Sequence, residues 1–357
     1  MKLKAKCRKL VYCFDILLKA ARLLPIIGFI VFFFPRAQAH TAGSDKEVVA
    51  VVNRAFLDNC LELINSAKST VSIAHFYYKR DDVTTKIGKA INTALARHVK
   101  VRILLDGSVP DNEAALKEFA SAGAAVKLFG PKAKLHAKFI IADNSVTLIG
   151  STNFSGKSIV ENNETNVLIK DPRISEVYQE YFENLWDGND KGVSDSFIWK
   201  NPKASVIPVL GKNYLGRSVN LINKSKYNIG VILYMAHFTP QYYSSKPNIL
   251  LRALNDAKRR GVRVRVILEK SDFDNKLNEM NKSVFEYLSE NKIEIKYDSP
   301  DIVTHAKLLL CDNSALLGST NWVIVGLEKN KEANIMIRET DAVNAFWKYF
   351  EDLWSKY

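Results

Sequence analysis

The chain has 357 residues, 47% of them hydrophobic and 25% charged, proportions of a globular protein that exclude a disordered or low-complexity segment. Its formal charge is +13, but the first 39 residues hold eight of the 51 Lys and Arg and only one of the 38 Asp and Glu. More than half of the excess therefore belongs to that leader and says little about a substrate.

The leader, residues 1–39, opens with basic residues, continues in an apolar run from Leu23 to Phe34 and closes on Ala37-Gln38-Ala39. A run this short fits the hydrophobic part of an export signal cleaved after Ala39, since a spanning helix needs about 20 residues. The long basic start and a second apolar patch, Leu10–Leu18, leave an uncleaved membrane anchor or an amphipathic leader as alternatives. The expected location is therefore exported (periplasmic or secreted) or anchored in the membrane. The four cysteines show neither CxxC nor metal spacing; Cys60 and Cys311 fall in apolar patterns and are expected as buried free thiols.

Beyond the leader the chain repeats one plan. The expected halves are residues 45–187 and 204–357, with a polar linker at 188–203 carrying Gly and Pro. Leu61–Tyr77 resembles Val219–Phe238, and both contain Ala-His-Phe, which suggests equivalent places for His75 and His237. Amphipathic helices (Ile87, Ile91, Leu95; Leu250, Leu254, Ala257) then feed strands at Val99–Leu105 and Val262–Leu268. Third helices follow at Glu113–Ser121 and Lys282–Glu290, and short strands at Ala125–Phe129 and Ile293–Tyr297. Both halves close on Tyr-Phe-Glu-Asn/Asp-Leu-Trp, at 181–186 and 349–354. Alternation of helix and strand predicts an α/β fold with largely parallel sheets, the two similar halves packed about a pseudo-twofold axis. Arg263 and Arg265, with Lys258-Arg259-Arg260, read as a solvated strand face and helix end.

The chemistry lies in a doubled motif. His136-Ala-Lys138 and His305-Ala-Lys307 each precede an apolar strand, then Asp-Asn-Ser (from Asp143 and Asp312), then Gly-Ser-Thr-Asn (from Gly150 and Gly318). Residues i and i+2 of a strand share a face, so each His projects beside its Lys, an arrangement that favours an anion such as phosphate between them. Asp143 and Asp312 either open the turn of a hairpin or take part in catalysis. The glycines would let backbone approach a ligand, while Ser151, Asn153, Ser319 and Asn321 offer short neutral donors for phosphate oxygens. Glu164 and Glu332 are placed alike in the two halves. Each could bond one ring nitrogen of a histidine and leave the other free to attack.

The doubled H-x-K-x4-D followed by G-S-x-N resembles the phospholipase D superfamily, over about residues 45–357. The Asp-to-Gly spacing differs by one residue between the copies. The resemblance implies two α/β halves with one active site at their interface, a phosphohistidine intermediate, no metal and no cofactor. Carried over, it makes His136 the nucleophile and His305 the general acid. Lys138, Lys307, Asn153 and Asn321 hold the phosphoryl oxygens, and Glu164 and Glu332 orient the histidines. The expected protein is an exported, monomeric phosphodiesterase acting on a phospholipid head group at a membrane surface, by hydrolysis or transfer. A metal-independent nuclease and a catalytically silent scaffold are the alternatives.

Overall fold

The computed structural model describes residues 47–189, 205–338 and 340–357, so the leader and most of the expected linker lie outside the described residues. The first half runs β1 (Glu47–Val52), α1 (Ala55–Ser66), β2 (Thr70–His75), α2 (Asp82–Ala96), β3 (Lys100–Asp106), α3 (Asp111–Ser121), β4 (Ala125–Phe129), β5 (Lys138–Ala142), β6 (Val146–Gly150), a π-helical turn (Lys157–Glu161), β7 (Thr165–Lys170) and α4 (Pro172–Trp186). The second half runs β8 (Val206–Leu210), α5 (Asn213–Lys224), β9 (Asn228–Leu233), α6 (Lys246–Arg259), β10 (Arg263–Leu268), α7 (Asn275–Glu290), β11 (Glu294–Tyr297), β12 (Lys307–Cys311), β13 (Ser314–Gly318), the short α8 (Ile324–Glu328), β14 (Ala333–Arg338) and α9 (Asp341–Lys356).

Each half builds a seven-stranded sheet of the same topology, β1-β7-β6-β5-β2-β3-β4 in the first and β8-β14-β13-β12-β9-β10-β11 in the second. The sheets are mixed rather than largely parallel. Among the described strands only β2/β3, β3/β4, β9/β10 and β10/β11 pair in parallel. The His-Lys strands β5 and β12 each lie antiparallel to both neighbours. Short turns at Asp143 and Asp312 leave the chain no room for a crossover, so it must fold straight back. The outer strands β1, β7, β8 and β14 escape a reading of helix–strand alternation, because they add to the sheet edge next to the hairpin.

Alternate residues of each strand face opposite cores. Ile73, Ile140 and Leu148 pack outward with α1 and α2 of their own half, as Val231, Leu309 and Leu316 do in the other. Phe139, Ile141, Leu308 and Leu310 face a core shared by both sheets, into which α4 and α9 bring Tyr178, Phe182, Phe346 and Phe350. Burying one such apolar side chain is worth about 1.5–3 kcal/mol, so this shared layer holds the halves together as one body. Arg102 and Arg265 pair with Glu183 on α4 and Glu351 on α9 and lie against the rings of Phe182 and Phe350. Arg265 is therefore a buried ion-pair partner and not part of a solvated strand face. Cys60 and Cys311 are free and buried.

Candidate active site

Both histidines sit just before their strands, at the end of the sheets where the halves meet. Two matched stitches hold them there. The His136 N–H donates to the Lys331 carbonyl at 2.9 Å, and the Lys331 N–H to the Lys134 carbonyl at 2.8 Å. In the other half the Asn163 N–H donates to Val303 O at 2.9 Å, and the Ala306 N–H to Asn163 O at 3.0 Å. The residue before each glutamate is thus fastened to backbone flanking the histidine of the other half, so the glutamates reach crosswise. His136 Nδ1 lies 2.9 Å from Glu332 Oε2, and His305 Nδ1 lies 3.0 and 3.1 Å from the two oxygens of Glu164. Neither half contains a complete His–Glu pair.

Gly150 and Gly318 make this crossing possible. A Cβ on Gly150 would lie 2.4 Å from the Thr165 carbonyl oxygen, and one on Gly318 would lie 2.4 Å from the Ala333 oxygen. Their role is close passage of the hairpin against β7 and β14, not approach to a ligand. Ser151 and Ser319 follow directly. The Ser151 hydroxyl donates to Glu164 at 2.5 Å, and the Ser319 hydroxyl to Glu332. Those serines therefore clamp the glutamates, and the phosphate-binding role expected for them does not fit their hydrogen bonds. Ser158 on the π-helical turn and Asn330 add a further donor to each glutamate, at 2.5 and 3.1 Å. Neither was singled out in the sequence, where isolated Ser and Asn beside the motif carry no signal.

Lys138 and Lys307 are buried, and each ammonium donates to the carbonyl of its own histidine. Burial pushes both down, Lys138 to about 8 and Lys307, which also feels Lys138, to about 7. Burial likewise lowers both imidazoles, His305 to about 4, against the pull of their glutamates. Burial alone would raise the carboxyls. Their histidine and lysine neighbours outweigh it and hold Glu332 low and Glu164 at about 2. In the free protein the glutamates are ionised and the imidazoles neutral. Each ring then donates Nδ1–H to its carboxylate and leaves the Nε2 lone pair free. Two ammoniums forced together in a dry site are unfavourable until an anion lies between them. Asn153 and Asn321 each keep a buried side-chain oxygen with no hydrogen-bond partner among the described residues, and both follow the clamping serines.

The aspartates lie elsewhere. Asp143 stands at the far end of β5 from His136. Its carboxylate accepts the N–H groups of Lys68, Ser69 and Thr70 at 2.8, 2.7 and 2.9 Å and the Ser69 hydroxyl at 2.8 Å. Asp312 does the same for Lys226, Tyr227 and Asn228 at 2.7–3.0 Å. Both also take the left-handed conformation of the hairpin turn, with φ of 51° and 45°. They fix the turn to the start of the neighbouring strand and take no part in the His–Lys cluster. His75 and His237 are not equivalent either. Lys138 pairs across the sheet with His75, and Lys307 with Leu233. His75 is buried and stacked on Phe154, its ring centroid 3.8 Å away, and burial with the nearby Lys138 keeps it neutral. The true counterparts beside the site are Phe76 and Tyr234, with ring centroids 5.0 Å from His136 and 4.6 Å from His305. Among the described residues no group of three or more His, Cys, Asp or Glu is placed to hold a metal ion.

The chain is similar to known proteins over both halves. Residues 60–186 and 219–354 both match the family described as "Cardiolipin synthase, PLD-like domain". Cardiolipin synthase B of Salmonella typhi is 24% identical over 320 residues, covering 80% of this chain and 74% of that protein. Cardiolipin synthase B of Escherichia coli K12 is 24% identical over 311 residues, covering 77% and 72%. The crystal structure of phosphatidylserine synthase from Haemophilus influenzae superposes with a TM-score of 0.62 at 12% identity, covering 87% of this chain and 86% of that one, a likeness of fold.

Proposed function

The chain belongs to the phospholipase D-like family, and from that premise we propose that it is a cardiolipin synthase-like phosphodiesterase that transfers or hydrolyses a phospholipid head group. The observation that carries this reading is the crossed pair of His–Glu contacts around two buried lysines. A phosphodiester anion between Lys138 and Lys307 cancels their repulsion. His136 Nε2 attacks phosphorus, forming a P–N bond. The P–O bond to the leaving alcohol breaks, and His305 Nε2–H gives that oxygen its proton. Glu164 engages His305 through both oxygens, whereas Glu332 offers one to His136, so an imidazolium is held better at His305 once the anion is bound. In the second step His305 takes the proton of an incoming alcohol or water, whose oxygen attacks phosphorus and releases His136. Lys138, Lys307 and the Asn153 and Asn321 amides stabilise the charge on the five-coordinate phosphorus. Both histidines are less than one-tenth exposed, 9% and 8%, which favours transfer to an alcohol over capture by bulk water. The chemistry uses no metal and no cofactor.

Purified protein offered phosphatidylcholine and cardiolipin vesicles with a short alcohol, beside single- and double-stranded DNA, tests the reading. Release of a head group and its replacement by the alcohol are expected. Cleavage of DNA with untouched vesicles would replace the lipid reading with the nuclease. The leader supports export, and a mature terminus at His40 by mass spectrometry is the expected sign of it. A full-length soluble cytosolic protein would contradict export. Among the described residues no helix is long and apolar enough to cross a membrane.

A further inference from the structure

The two halves differ at one place where their shared frame makes the difference informative. A cleft of about 730 Å³ lies between the β4–β5 loop, the end of α4, the start of α5 and the segment after α8. The matching place in the other half is bridged by side-chain hydrogen bonds. There Tyr357, beyond α9, accepts a hydrogen bond from Asn163 at 3.1 Å, and Arg54 reaches the Glu161 carbonyl at 3.0 Å. The framing contact is common to both: Lys127 donates to the Trp186 carbonyl at 3.2 Å, as Lys296 does to that of Trp354 at 3.0 Å. The closing residues are exchanged. Asn189 stands in the place of Tyr357 and Lys212 in that of Arg54, while Lys329 brings a positive charge to the place of Glu161, which bonds Arg54 only through its backbone carbonyl. Lys132 likewise replaces Asp301. Among the described residues lining the cleft Glu328 is the one acid, and it lies 3.8 Å from Lys246. Exposed lysines around a cleft give it a positive potential that draws an anion.

Resting on the lipid reading above, we propose that this cleft is a binding site for an anionic phospholipid, with its phosphate among Lys132, Lys212 and Lys329 and its apolar part against Phe129, Leu185 and Trp186. Asn330 and Lys331 also line the cleft, and the first donates to Glu332 while the second holds the His136 backbone. A lipid there lies against the segment that holds the His136 backbone.

The test is calorimetric titration of His136→Ala protein, which lacks the nucleophile and so does not consume the lipid, with monomeric dihexanoyl phosphatidylglycerol. Adding Asn189→Tyr, which imports the closing side chain, or the triple reversal Lys132→Glu, Lys212→Glu and Lys329→Glu, is expected to weaken one binding event about tenfold or more. The zwitterionic dihexanoyl phosphatidylcholine is expected to bind there at least about tenfold more weakly than the anionic lipid. With His136 restored, both sets of substitutions should leave hydrolysis of bis(p-nitrophenyl) phosphate within about twofold, showing that fold and chemistry persist. Unchanged isotherms in both variants, or equal binding of the two lipids, overturn the proposal. Anionic lipid bound in the cleft but never turned over would leave the cleft standing and reject the phospholipid activity alone.

Discussion

Glu164 and Glu332 are the residues on which the two halves depend most, because each serves a histidine it shares no half with. The crossing predicts matched phenotypes. Glu164→Gln should resemble His305→Ala, and Glu332→Gln should resemble His136→Ala, each losing about 10²–10⁴ in kcat while circular dichroism stays unchanged. Pairing within a half, with Glu164→Gln resembling His136→Ala, would contradict the contacts. The lysines predict a pH dependence. With Lys307 at about 7 and Lys138 at about 8 in the free protein, kcat/KM should fall as pH rises through 7 to 8, since the neutral amines no longer hold the anion. Bound phosphate restores both charges, so kcat should stay level to higher pH. Identical profiles for the two parameters would show that the lysines are not coupled to the anion. The same depression acts on stability. An unfolded chain keeps these protons up to the ordinary lysine value of 10.5, so their share of the folding free energy improves as pH rises from about 7 towards it.

At the scale of elements, the β5–β6 and β12–β13 hairpins decide where the site can be, and their aspartates decide whether they form. Asp143→Ala removes an acceptor of four hydrogen bonds and should cost about 1–3 kcal/mol, read as a lower denaturation midpoint, with turnover kept below the melting range. Loss of turnover in a fully folded Asp143→Ala protein would return that aspartate to the catalytic set. These bonds hold the Asp143 carboxyl below the usual range despite some burial. Its contribution is present above the unfolded pKa and is lost as pH falls through the folded one. The hairpins were legible because His-x-Lys, an apolar run and Asp-Asn-Ser recur together. The outer strands were not, since Glu47–Val52 and Thr165–Lys170 carry no partner signal of their own and pair only through the sheet. The match of His75 with His237 failed for a related reason. Twelve residues, 234–245, separate β9 from α6, against six, 76–81, between β2 and α2, and only strand register shows that Leu233 faces Lys307. The serines deceived differently. Their position beside Asn153 and Asn321 suggested phosphate, whereas the close passage of β7 and β14 turns them onto the glutamates.

On the scale of the whole molecule, one site has been assembled from two copies of one plan. A sequence can announce the copies but not the crossing, because which glutamate meets which histidine depends on how the sheets pack through their shared core. If His136 and His305 act as one unit, the double His136→Ala/His305→Ala variant should be scarcely slower than either single variant. Two independent sites would leave about half of the turnover in each single variant and almost none in the double. The most direct measurement is to mix His305→Ala protein with a phospholipid labelled in the group that stays on phosphorus, quench in alkali to preserve a P–N bond, and map the label by mass spectrometry. The account predicts a phosphorus adduct on His136 that forms slowly, for want of the acid His305, and then persists because the second step lacks its base. Label on a serine, or normal turnover with no adduct on either histidine, would contradict it.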